Sequence, residues 1–94
     1  MDKLAPEAIA DRLESLPEWS QVGESLQRTF GFDDFVQAMQ FVNHVAGLAE
    51  ATQHHPDIMI RYNKVTLTLS THDAGGLTER DFTFATKLEK QASA

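Results

Sequence analysis

Three of the four histidines, His54, His55 and His72, fall in two short polar clusters separated by a run of alternating apolar residues. An unperturbed imidazole titrates near ~6.5, so a group of them can hold one proton donor beside one acceptor at neutral pH. Glu50 and Asp57 flank the first pair and Asp73 follows His72, which supplies carboxylates to orient the rings or raise their basicity. Two other uses of these residues are open at this point. Three imidazoles could bind zinc beside a water, as in a metal hydrolase. They could also merely decorate turns. His44 stands apart in a helical stretch with no carboxylate four residues away, and reads as structural or exposed.

The segment between the clusters positions them. Ile58, Ile60 and Tyr62 alternate with Met59 and Arg61, and Val65, Leu67 and Leu69 alternate with Thr66, Thr68 and Ser70. A two-residue connection at Asn63-Lys64 would set Tyr62 opposite Val65 and send both apolar sets to one face. Such a hairpin folds back on itself, so its open ends meet and bring His54 and His55 towards His72. Pro56 disfavours helical angles at His55, which predicts an extended turn there.

The rest of the chain predicts a helix, a hairpin and a helix before this unit and a helix after it. Ile9, Leu13 and Leu16 mark a first helix over 4–16, with Pro6 suited to its first turn and Pro17 ending it. Residues 19–32 turn extended, with Leu26, Arg28, Phe30 and Phe32 on one side and Gly23 available for the bend. Asp33 or Asp34 can cap a long helix to about Thr52, whose inner stripe reads Phe35, Met39, Val42, Val45, Ala46 and Ala49. After Gly75-Gly76, where glycine permits a tight entry, Thr78 and Asp81 resemble a capping box and Leu77 can staple onto Phe82. That opens a last helix to about Lys90. Trp19 reads as core. Arg80 and Glu79 would ordinarily be a solvated helix start.

This order favours an α+β domain over 1–94, an antiparallel sheet with its apolar face covered by helices. An uncovered edge strand in so small a chain makes a homodimer plausible. With 41% hydrophobic and 23% charged residues, the composition is that of a folded globular chain rather than a disordered one. A formal charge of -6 repels a phosphate backbone, which argues against direct nucleic-acid binding. The absence of cysteine excludes disulfides and thiolate metal sites and suits the cytoplasm. No secretory signal or membrane span is expected.

Glu50, His54-His55-Pro56, Tyr62-Asn63-Lys64-Val65 and Thr71-His72-Asp73 through Gly76-Leu77-Thr78 to Arg80-Asp81 resemble the signature of the pterin-4a-carbinolamine dehydratases. A weaker similarity reaches upstream through Phe30-Gly31-Phe32 to Trp19. The resemblance implies a four-stranded antiparallel sheet with three helices packed on one face, assembled as a homodimer or homotetramer. It implies a small-molecule pterin substrate, loss of water from 4a-hydroxytetrahydropterin, and no metal or redox cofactor. It makes His54, His55 and His72 the catalytic residues and sets Glu50, Pro56, Asp57, Thr71, Asp73 and Arg80 at the substrate. Asp57 and Ile58 stand where many relatives have glutamate and tryptophan. Members of the wider family that act as protein-binding scaffolds, in transcription or enzyme assembly, supply the alternative reading.

Overall fold

The computed structural model describes residues 2–92. Its elements run α1 (Pro6–Leu13), β1 (Ser20–Val22), β2 (Ser25–Gly31), α2 (Phe35–Thr52), β3 (Asp57–Arg61), β4 (Lys64–Leu69), a 3₁₀ turn at His72–Ala74, and α3 (Glu79–Ala92). The four strands form one antiparallel sheet in the order β1-β2-β4-β3, and the three helices cover one face of it. The predicted α+β architecture is the observed one.

Leu26, Phe30, Val65, Leu67 and Leu69 point from the two central strands into a core completed by Ile9 of α1, Ala38, Val45 and Ala49 of α2, and Phe84, Ala85 and Leu88 of α3. Arg28 also lies on the core side, opposite Leu67. Its guanidinium stacks 4.1 Å from the centre of the Phe30 ring and bonds to Glu89 of α3, which also accepts the Trp19 indole N–H. A charge on the inner face is tolerated because an aromatic face and a carboxylate replace its water. Trp19 itself is buried, with its ring edge-on to Phe30.

Three expectations are corrected in detail. The first helix begins at Pro6 and stops at Leu13, because Pro17 disfavours helical angles at Leu16 and the chain tightens into turns, with Leu16 N–H bonded to Leu13 O and Trp19 N–H to Leu16 O. On α2 the buried stripe is Ala38, Val45 and Ala49 flanked by Phe41, Val42 and Leu48, whereas Phe35, Val36 and Ala46 face outward. A helix apolar on more than one side leaves the choice of inner stripe to the sheet it meets.

The turn of the second hairpin is Tyr62-Asn63, one residue earlier than expected. Ile60 therefore pairs with Val65 and Ile58 with Leu67, and Tyr62 stands exposed at φ 52°. Asn63 fixes this choice: its side-chain amide donates to Phe32 O and its carbonyl accepts from Phe32 N–H. Because the pairing moves by two positions in total, Ile58 and Ile60 keep the same face as Val65 and Leu67.

Candidate active site

The open ends of the β3–β4 hairpin converge, since Asp57 pairs with Thr68. Helix α2 delivers the first two histidines by a sharp stop. Gln53 adopts left-handed angles at φ 54°, and His54 N–H turns back to Ala49 O at 3.2 Å. On the other side, Thr71 and Gly76 form a bridge, so the intervening loop with His72 is pinned at its neck. Gly75 closes that loop at φ 77°, an angle costly for a side chain.

His54 is buried. Its Nε2 lies 2.6 Å from Asp81 Oδ1, and Asp81 has no exposed surface. The second oxygen of Asp81 accepts the Thr71 hydroxyl and the Thr78 N–H, both at 2.9 Å. Because Thr71 gives its proton to Asp81, the Thr78 hydroxyl donates to Thr71 at 2.8 Å and accepts Arg80 N–H at 3.2 Å. One carboxylate thus joins the buried imidazole, the β4 exit and the start of α3. With Asp81 accepting, Nε2 of His54 carries the proton.

His55 lies in the open, its Nε2 2.6 Å from Glu50 Oε2. His72 is exposed and makes no side-chain hydrogen bond among the described residues. Arg80 donates to the carbonyl of Gln53 at 2.5 Å, which braces the end of α2 against α3. Below it, Arg12 of α1 forks onto Glu79. The hydrogen bond from Arg12 holds the Glu79 carboxyl below its usual range, and the same bond raises the guanidinium.

A cavity of about 250 Å³ is lined by His54, His55, Thr71, His72, Asp73 and Arg80. A second, of about 340 Å³, lies against His55 and His72 too, and is walled by Asp57, Glu24, Ser25 and Thr68. Of the residues singled out from the sequence, six share the first cavity, Asp57 borders the second, and Glu50 reaches the site through His55. Pro56 borders neither and shapes the turn. Asp81 was read only as a helix cap. It forms that cap by accepting Thr78 N–H, and its bond to His54 leaves no local signal in the sequence. No trio of His, Asp or Glu among the described residues is disposed to hold a metal ion. What the arrangement offers is two solvent-facing imidazoles, one carboxylate-bound and one free, beside a third locked in place.

The family model described as pterin 4 alpha carbinolamine dehydratase matches residues 2–91. A protein of Acidobacterium capsulatum, provisionally named a pterin-4-alpha-carbinolamine dehydratase, is 57% identical over 95% of this chain and 97% of its own. One of the same provisional name from Thermomicrobium roseum is 53% identical over 99% and 100%. Among solved structures, a transcriptional coactivator/pterin dehydratase from Brucella melitensis superposes with a TM-score of 0.90 at 35% identity, over 95% of this chain and 97% of that one. A pterin dehydratase-like protein identified as a RuBisCO assembly factor in the alpha-carboxysome gives 0.68 at 28% identity, over 82% and 92%.

Proposed function

The chain belongs to the pterin 4 alpha carbinolamine dehydratase family, and from that premise we propose that it is a lyase converting 4a-hydroxytetrahydropterin to quinonoid dihydropterin and water by histidine acid/base catalysis. The observation that carries this reading is that His55 and His72, from opposite ends of one hairpin, border the same cavity with His54 behind them. The N5 lone pair forms the C4a=N5 bond as the C4a–O bond breaks. One imidazole delivers a proton to the departing hydroxyl and another accepts the N5 proton, so the substrate's atoms are all recovered in product and water.

His55 and His72 form the leading proton-transfer pair. Glu50 holds the proton of His55 on Nε2 and leaves Nδ1 as the basic nitrogen, while unencumbered His72 suits the donor role. His54, Thr71, Asp73 and Arg80 complete the pocket around the substrate, with Glu50, Pro56 and Asp57 at its margin. The reaction needs no redox cofactor, because the nitrogen lone pair itself expels the hydroxide. The proposal extends to pterin recycling in the cytoplasm, which a cysteine-free chain suits.

Assembly belongs to the same proposal. Strand β3 is an edge with all five residues exposed, and Phe35 and Val36 lie open on α2. Pairing of these surfaces with further copies gives a homodimer or homotetramer. They are also what favours a second reading, a protein-binding scaffold like the coactivator and assembly factor named above. Purified protein is expected to accelerate loss of the carbinolamine absorbance. A rate equal to buffer, from protein that is folded by circular dichroism, refutes the dehydratase reading and leaves the scaffold.

A further inference from the structure

His54 has two sides. One borders the cavity shared with His55 and His72, and the other borders a separate cavity of about 400 Å³ between the end of α2 and the outer side of α3. That volume lies within the roughly 300–1,000 Å³ of small-molecule sites. Ala51 of α2 and Phe84 of α3 give it apolar walls, and the His54 ring stands edge-on to Phe84 at 6.2 Å between centroids.

Its lining carries two cations against one carboxylate. Arg80 and Lys87 both border it, in a protein whose formal charge is -6. Its one carboxylate, Glu79, is engaged by Arg12. Arg80 donates to a carbonyl rather than to an acid, and Lys87 has no ion pair among the described residues. Two cations without carboxylate partners above an apolar floor, with the Thr83 hydroxyl beside them, match a small organic anion with a flat or branched apolar body. A neutral ligand leaves the cations unmatched, and an inorganic anion leaves the floor uncovered.

We propose that the cavity between α2 and α3 is a binding site for small aryl or alkyl carboxylates, with Lys87 and Arg80 taking the carboxylate and Phe84 and Ala51 the apolar body. Occupancy reaches the histidine cluster through His54 and Arg80, which border both cavities. Lys87, Phe84 and Ala51 take no part in the reaction proposed above, so binding there is tested apart from the dehydratase reading.

Benzoate and its neutral analogue benzamide test it on the full chain, followed by ¹H–¹⁵N and aromatic NMR. Benzoate is expected to give saturable shifts at Ala51, Thr83, Phe84 and Lys87 and at the His54 imidazole, with His72 least affected. Benzamide should bind about five- to tenfold more weakly, from loss of one charge interaction near the surface. Lys87→Glu should weaken benzoate at least as much while leaving benzamide unchanged, and Ala51→Leu, which fills the floor, should weaken both. Equal binding of the two probes, shifts centred on His72, or benzoate affinity unchanged in Lys87→Glu would each overturn the assignment.

Discussion

Replacing Asp81 with asparagine changes one atom at the hub of the buried network, and the consequence can be worked out bond by bond. The carboxylate accepts three hydrogen bonds, from His54, Thr71 and Thr78 N–H. In Asp81→Ala all three donors lose their acceptor. Each hydrogen bond to a charged group is worth about 1.5–3 kcal/mol, and since they share one carboxylate their combined loss is on the order of 3–5 kcal/mol. A chain of this size is stable by only about 5–14 kcal/mol, so the alanine variant tests stability more than positioning. Asp81→Asn is sharper. Its carbonyl oxygen can keep Thr71 and Thr78, which leaves the amide NH₂ facing His54. Two donors cannot meet, so the His54 proton must move from Nε2 to Nδ1. The exchange of a charge-assisted bond for a neutral one costs about 1–2 kcal/mol. If His54 forms a wall of the reaction site, its altered face lowers turnover about 10²-fold, the scale of a small misplacement. Two-bond ¹H–¹⁵N correlation spectra read the tautomer, urea melts the stability, and carbinolamine absorbance the rate. A variant with the wild-type tautomer, stability within about 0.5 kcal/mol and unaltered turnover would refute the role given to Asp81.

His72→Ala should lower turnover by about 10²–10⁴-fold with stability within about 0.5 kcal/mol of wild type, because the side chain is exposed and makes no hydrogen bond among the described residues; paired urea melts and rate measurements check it. Glu79→Gln tests the clamp between α1 and α3. The folded-state carboxyl is held below its usual 4.5 by Arg12, so its contribution is present above the unfolded value and is lost as pH falls through the folded one. The melting temperatures of variant and wild type should therefore differ at pH 7 and converge at acid pH, by a small amount since the pair is exposed. Leu67→Ala should cost about 2–5 kcal/mol in a denaturant melt, because Leu67 has no exposed surface at the centre of the sheet.

The elements whose signals are local and repeated were legible in the sequence. Alternation from Ile58 to Leu69 gave the hairpin, and with it the convergence of the histidine clusters, because the ends of a hairpin meet whatever packs around it. The turn position was not legible, since it depends on Asn63 bonding to Phe32, 31 residues away. The inner stripe of α2 is not legible for a related reason: two apolar faces compete, and packing against the rest of the core chooses between them. In the site, Glu50 was found by proximity to His55. The bond between His54 and Asp81 spans 27 residues and two elements, and a capping motif explained the aspartate well enough to hide it.

The histidine clusters hang from the open end of a ribbon whose closed end is Tyr62-Asn63. Any growth that adds equally to both arms beside that bend extends the ribbon outward and leaves the pairs from Ile60–Val65 to Asp57–Thr68 as they are. An addition of one residue to one arm must either bulge or slide that arm past the other, and a one-residue slide would turn His55 and His72 to opposite sides. Once the two bonds between Asn63 and Phe32 are given up, the far tip becomes a natural place to graft a tag or reporter. Matched arm lengths would be the condition for keeping the chemistry at the other end intact.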